Sequence, residues 1–296
     1  MKKSLFYILA LAVLAFPLFA LAQSETFVFP GNVWQMALAD GKLYIQTDAD
    51  YPDSVVYLYS PENSSVPQLA CEGLEAEIDS LVVLNSNLYV LKQGQASMKM
   101  IQSNNADKKK DSIVLLPEQF LNGKNEVYPF LLSINEGDTL TFMVTHGEEI
   151  HLCRLETISG EFKSVNMEEN LYALQPYLNE CSLLFRTNRV DGRKEIFEFN
   201  WDTLAQTQKG SLPADATGIA YNEDQDDILY IAGGCLWRYR WDGSSEQIMD
   251  GLPRGTDQRG FVLGDKHYVA LQRDLQETLI MIDLTKVEEG SKGDSK

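Results

Sequence analysis

An aromatic residue set in a short apolar run returns at a regular interval along this chain. The runs are centred on Tyr44 (L-Y-I-Q-T-D), Tyr89 (N-L-Y-V-L), Phe142 (L-T-F-M-V), Phe185 (L-L-F-R-T), Tyr230 (L-Y-I-A-G) and Tyr268 (H-Y-V-A-L). Their separations centre near about 45 residues, the interval of a β-propeller with four strands per blade. Helical solenoids share that interval. They are excluded because the runs have strand length, are bounded by Gly, Asn and Asp, and no long segment carries a 3.6-residue period.

The clearest unit is Asp227–Gly243, D-I-L-Y-I-A-G-G-C-L-W-R-Y-R-W-D-G. Ile228–Ala232 reads as one strand. Gly233-Gly234 reads as a two-residue hairpin loop, since glycine accepts the positive φ that such turns require. Cys235–Trp241 then alternates, with Cys235, Trp237, Tyr239 and Trp241 on one face and Leu236, Arg238 and Arg240 on the other. Imperfect copies predict four strands in each of five blades. The blades are Val33–Cys71, Ile78–Leu116, Val127–Val165, Leu171–Gly210 and Thr217–Met249. A sixth, Gly260–Leu284, has three strands, because Thr285–Lys296 is too polar and Gly/Ser-rich to supply a fourth.

Thr26–Pro30 (T-F-V-F-P) is a strand with no blade of its own. The expected fold is therefore all-β: a six-bladed β-propeller of four-stranded antiparallel blades, closed by an N-terminal strand that completes the last blade and covers two open edges. The alternative is that this segment is a frayed terminus. Domain boundaries follow: residues 1–22 a leader, 23–284 the propeller, 285–296 a polar tail or linker.

Lys2-Lys3, the apolar stretch Leu5–Phe19 and the small-x-small site Ala20-Leu21-Ala22 have the form of a secretory signal peptide. An uncleaved anchor is the alternative, although the run is near the lower length limit for a span. The expected location is secreted or extracytoplasmic, in a bacterial cell envelope, with no stable membrane insertion after cleavage. The chain has a formal net charge of −18, more negative still without Lys2 and Lys3. Such a surface repels nucleic acid and anionic lipid. Cys71, Cys153, Cys181 and Cys235 are widely spaced in apolar runs and read as small buried hydrophobes. If one disulfide forms, Cys153–Cys181 is the expected pair, because those residues fall in consecutive repeats.

Motifs with chemical content are few. His146-Gly147-Glu148-Glu149-Ile150-His151 gathers two His and two Glu, but H-x-x-x-x-H is not the helical spacing of zinc proteases, and the segment reads as a solvated hairpin tip. Asn222–Asp227 (N-E-D-Q-D-D) has the composition of a calcium loop without its central Gly and distal Glu. It reads as a turn. Trp201-Asp202 and Trp241-Asp242 close third strands as in WD repeats, without the matching G-H pair. Asp is expected to start each turn, and Trp to pack between blades. No P-loop, nucleophile elbow or dinucleotide fingerprint occurs. No cofactor, metal ligand or catalytic residue is expected.

In a propeller the corners between second and third strands gather on one face with the blade-to-blade loops. Here these positions hold Asp48, Asp50 and Tyr51, then His146 and Glu148, then Arg189 and Arg193, then Arg254, and finally Arg273. Arginine forks onto carboxylates and hydroxyls, so this rim is a candidate anion or sugar site. Its expected ligand-binding residues are Asp50, Tyr51, His146, Arg189, Arg254 and Arg273. Alternatively, the arginines neutralise neighbouring acids.

The strand motifs G-K-L-Y-I-Q-T-D and D-I-L-Y-I-A-G-G-C-L-W-R-Y-R-W-D-G resemble those of exported bacterial six-bladed propellers, the broad TolB-like and YWTD-like group. The leader and tail look like those of bacterial extracellular solute-binding proteins that carry an N-terminal propeller. The resemblance implies binding or scaffolding, often as one module of a larger chain. The expected function is a non-enzymatic module that binds an extracellular protein, peptide or glycan through one face, as an accessory to solute uptake. The alternative is a propeller hydrolase or lyase acting on extracellular polysaccharide.

Overall fold

Short runs in which side chains alternate between two environments suit a pleated strand, whose successive residues point to opposite faces. The computed structural model describes residues 24–28, 33–39, 42–50, 53–60, 66–75, 79–84, 87–92, 97–100, 112–114, 127–136, 139–146, 149–167, 171–177, 181–252, 260–263, 266–273 and 276–284. Among these residues, twenty-four strands form six four-stranded antiparallel sheets. The leader, the turn Asn104–Asp111 and the tail Thr285–Lys296 lie outside the described residues.

The N-terminal strand is β1 (Ser24–Val28). Sheet I holds β2 (Val33–Ala39), β3 (Lys42–Asp50), β4 (Asp53–Tyr59) and β5 (Gln68–Glu75). Sheet II holds β6 (Asp79–Leu84), β7 (Asn87–Lys92), β8 (Ser97–Met100) and β9 (Ser112–Val114). Sheet III holds β10 (Val127–Glu136), β11 (Thr139–His146), β12 (Glu149–Glu156) and β13 (Phe162–Met167). Sheet IV holds β14 (Leu171–Tyr177), β15 (Cys181–Thr187), β16 (Lys194–Asn200) and β17 (Ala205–Leu212). Sheet V holds β18 (Thr217–Asn222), β19 (Asp227–Ala232), β20 (Cys235–Tyr239) and β21 (Ser245–Met249). Each of these is a meander in sequence order.

The sixth sheet departs from that rule. Its order is β22 (Gly260–Leu263), β23 (Lys266–Arg273), β24 (Gln276–Asp283) and then β1. Ser24 pairs with Ile282, Phe27 with Leu279 and Val28 with Thr278, antiparallel. The N-terminal segment thus supplies the missing strand, two residues earlier than the sequence suggests. Phe29 and Pro30 lie outside the described residues.

Two compact units divide the chain: Pro30–Ala214, and Met1–Phe29 with Asp215–Lys296. In the first, the leading strands β2, β6, β10 and β14 pack side by side in succession. In the second, β18 packs on β22 and β23. Register breaks recur in the leading strands, at Val33/Gln35, Phe130/Ile134, Leu171/Ala173 and Thr217/Ala220. Such bulges increase local twist.

Apolar side chains between sheets build the core. Met143, Leu152 and Met167 of sheet III meet Leu184, Phe199 and Trp201 of sheet IV. In the other unit, Leu229, Ile231, Leu236 and Met249 of sheet V pack with Ile282 and Leu284. Burying one such side chain contributes about 1.5–3 kcal/mol.

The Gly233-Gly234 turn forms as expected, with φ of 61° and 81° and Ala232 opposite Cys235. The third strands of sheets IV and V end before the tryptophans expected to close them. β20 stops at Tyr239 because the Gly243 N–H donates to the Arg240 carbonyl at 2.9 Å, which closes a turn. β16 stops at Asn200, whose Oδ1 accepts the N–H groups of Asp202 (3.0 Å) and Thr203 (2.8 Å). Asp242 does start its turn, accepting the Ser244 N–H at 2.8 Å. In the other turn Asn200, not Asp202, has that role, since it sits one step earlier where the carbonyl-like oxygen can reach two amides.

Candidate functional site

The β15–β16 corner, residues 188–193 (N-R-V-D-G-R), is a rim position whose side chains are described throughout. Its backbone closes on itself: the Asn188 N–H donates to the Arg193 carbonyl at 2.8 Å, and the Gly192 N–H to the Asn188 carbonyl at 2.9 Å. Gly192 has φ +74°, and a Cβ there would stand 3.4 Å from the Ala214 Cβ. That positive φ favours glycine, whereas the contact itself would admit a Cβ.

Side chains fix the corner further. Asn188 Oδ1 accepts the Val190 N–H at 2.8 Å, while its Nδ2 donates to Glu195 Oε1 at 2.8 Å. Asp191 Oδ1 accepts the Arg193 N–H at 3.1 Å. Arg186 donates to Glu195 Oε2 through Nε (3.0 Å) and Nη2 (2.8 Å), and its guanidinium lies 4.2 Å from the centre of the Phe197 ring. Hydrogen bonds from Asn188 and Arg186 hold the Glu195 carboxyl below the usual range. Beside it, Lys194 Nζ donates to Thr187 Oγ1 at 3.0 Å, and burial lowers the Lys194 pKa. On this braced scaffold Val190 is 96% exposed, between exposed Arg189 and Arg193. The corner presents one apolar and two cationic side chains on a backbone with little entropy left to lose on binding.

At the β11–β12 corner, His146 pairs with Glu149 across the ladder and Val144 with His151. His151 Nε2 lies 3.2 Å from Glu149 Oε2, with His151 mostly buried and Glu149 exposed. At the β18–β19 corner, Asp226 has φ 48°. Its Oδ1 accepts from the Tyr221 hydroxyl (3.1 Å) and the Trp241 indole N–H (2.9 Å). Asp227 pairs with Arg238 at 2.8 Å. Two of the carboxylates that gave this turn its calcium-loop composition, Asp226 and Asp227, therefore tie the turn to its own sheet.

Cys153 and Cys181 are buried free thiols, as the apolar runs around them lead one to expect, and the bridge named as the alternative does not form. Cys153 sits in mid-β12 opposite Phe142 and Ser164, whereas Cys181 opens β15 opposite Asn200 in a different sheet. Consecutive repeats place them in separate ladders. Burial pushes the Cys153 thiol up to about 12, and burial with Glu198 also raises Cys181. Neither thiol carries thiolate reactivity at neutral pH.

Of the expected rim residues, Arg189 and Arg193 share one corner. Asp50 ends β3, His146 ends β11 and Arg273 ends β23, so these three also stand at second-to-third strand corners. The side chains of Asp48, Asp50, His146 and Arg273 lie outside the described residues, as do Tyr51, Glu148 and Arg254 entirely. Val190 was not legible as a site residue: a valine beside a D-G turn gives no signal of exposure.

No family model matches the chain, and no curated protein matches it in sequence. Solved structures do match in fold. An oligogalacturonate lyase in complex with manganese aligns at TM-score 0.53 and 12% identity, over 88% of this chain and 90% of that one. TolB from Acinetobacter baumannii aligns at TM-score 0.51 and 8% identity, over 81% of this chain and 63% of that one. A nidogen/laminin complex gives TM-score 0.52 and 10% identity, over 83% and 90%. The fold is a β-propeller. Its structural neighbours include lyases and a protein solved in complex with another. Among the described residues, no helix is long and apolar enough to cross a membrane.

Proposed function

We propose that this chain is an exported, non-enzymatic β-propeller that binds an extracellular protein, peptide or glycan through the face carrying its second-to-third strand corners. The observation that carries this reading is the 188–193 corner, where hydrogen bonds brace Val190 at 96% exposure between two arginines. Arginine beside an apolar contact is the composition of a recognition patch, with the guanidinium suited to carboxylate or hydroxyl pairs. Asp50, Tyr51 and His146 are proposed to contribute to binding from other corners of the same unit, and Arg254 and Arg273 from the second unit; the chain serves as an accessory to solute uptake. Export rests on the leader, residues 1–22.

The test is a panel of defined acidic glycans and peptides applied to the immobilised chain. Arg189→Ala combined with Val190→Ser and Arg193→Ala should reduce capture at least about tenfold, about 1.4 kcal/mol. The circular dichroism spectrum should not change, because exposed substitutions cost little stability. Undiminished capture by the triple variant contradicts the reading.

A second reading, a hydrolase or lyase acting on extracellular polysaccharide, is supported by the structural likeness to an oligogalacturonate lyase. Release of unsaturated or reducing ends from polyuronate by the purified chain would favour it over simple binding.

A further inference from the structure

We infer that the 188–193 corner recognises an acidic peptide segment carrying an aliphatic side chain between two carboxylates, resting on the binding role proposed for that corner and selecting a peptide over a glycan. Among the described residues, Arg186 pairs with Glu195, Arg238 with Asp227 and Arg240 with Glu246, and Arg154 lies over the Trp201 ring. Arg189 and Arg193 are exposed and have no acidic partner among the described residues. Neutralisation of a neighbouring acid accounts for Arg186, Arg238 and Arg240. It does not account for these two. In a chain of net charge −18, one hydrogen-bonded turn thus carries two uncompensated guanidiniums, which suit carboxylates.

Hydrogen-bonding capacity selects the ligand class. A guanidinium donates and cannot accept. Asn188 Oδ1 and Asp191 Oδ1, the acceptors beside it, take the N–H groups of Val190 and Arg193, and Asn188 Nδ2 is held by Glu195. The corner therefore offers mainly donors. A carboxylate only accepts and matches such a site, whereas each sugar hydroxyl both donates and accepts and finds acceptors scarce there. Val190 makes the second distinction. At 96% exposure its methyl groups stand in water, and covering apolar surface is favourable in proportion to its area. An aliphatic side chain covers them well, and a sugar ring bordered by hydroxyls covers them poorly. β-Branching restricts Val190 at χ1, so docking orders little that is not already ordered. In an extended peptide alternate side chains share a face. Two acids flanking an aliphatic residue at alternate positions therefore present all three groups to the corner at once.

Fluorescence anisotropy of labelled peptides with the purified chain is the test. The peptides place a leucine between two glutamates, separated from each by no, one or two serines, and short oligogalacturonate is the glycan probe. At least one peptide should bind. Exchanging its glutamates for glutamine should weaken it at least about tenfold, and its leucine for serine about threefold. Arg189→Gln and Arg193→Gln should each weaken that peptide about tenfold, and Val190→Ser about threefold. Arg240→Gln, whose arginine is already paired with Glu246, should leave binding unchanged. Binding of oligogalacturonate and of none of the peptides would overturn the peptide assignment and leave the wider binding role of the corner standing. Peptide binding indifferent to all three corner substitutions, or no binding of either probe, would overturn the assignment and count against the binding role as well.

Discussion

The same dipeptide, Trp-Asp, follows the third strand of sheet IV and of sheet V, and its two copies stand in different surroundings. Both indoles tether the end of a third strand to the start of the second strand of the same sheet. Trp201 Nε1 donates to Ser182 Oγ at 3.0 Å, and Trp241 Nε1 to Asp226 Oδ1 at 2.9 Å. Trp201 is 2% exposed, packed edge-on to Phe199 at 4.9 Å and among Met143, Leu152 and Met167 of sheet III. Arg154 of sheet III also lies 5.8 Å from its ring centre. Trp241 is half-buried, with Tyr239 edge-on at 6.2 Å as its ring partner. The hydrogen bond belongs to the repeat, whereas burial depends on what the neighbouring sheet brings. Trp201 joins two sheets, while the interactions described for Trp241 hold one sheet to itself.

Truncation should separate the two roles. Trp201→Ala should cost about 3–5 kcal/mol, the range for a buried aromatic. Trp241→Ala should cost about 1–2 kcal/mol, as for a partly exposed one. Urea unfolding midpoints measure both, and equal losses would break the comparison. The tether on sheet V can be sharpened at its acceptor. Asp226→Ala loses the oxygen that holds Tyr221 and Trp241, and keeps a Cβ at φ 48°. The expected loss is about 1 kcal/mol. Asp226→Asn keeps an acceptor and tolerates that φ, so it should lie close to wild type by the same measurement.

The smallest effect concerns acid. Glu195 on sheet IV has its carboxyl lowered by Asn188 and Arg186. A lowered folded-state pKa adds stability that is present above the unfolded value, about 4.3, and is lost as pH falls through the folded one. Wild type should therefore be more stable than Glu195→Gln at neutral pH. The gap should close in acid, as followed by melting temperature across pH. A gap that is independent of pH would mean that the carboxylate is not the source.

Much of this fold is legible in the chain because strand alternation and glycine turns are local. Gly233-Gly234 specifies its hairpin, and the T-F-V run at the N-terminus is a strand in want of a partner. The strand ends were less legible. Arg240 and Trp241 continue the alternation of β20, but Asp242 and Gly243 close a turn that takes them out of the ladder. The apolar runs around Cys153 and Cys181 make their burial legible, and each thiol stays free in its own sheet. The candidate site was legible as a set of corners and not as a surface. Which residues share a corner follows from topology, but the exposure of Val190 follows from Asn188 and Asp191 turning the backbone outward.

The central structural claim is that the N-terminal strand completes the last sheet. Hydrogen–deuterium exchange on peptides covering residues 24–28 and 276–283 tests it in the intact chain. Pairing of Ser24–Val28 with Thr278–Ile282 predicts that β1 amides bonded to β24 are protected as strongly as the β24 amides facing β23. Exchange of β1 at the rate of an unstructured peptide, with β24 still protected, would contradict it.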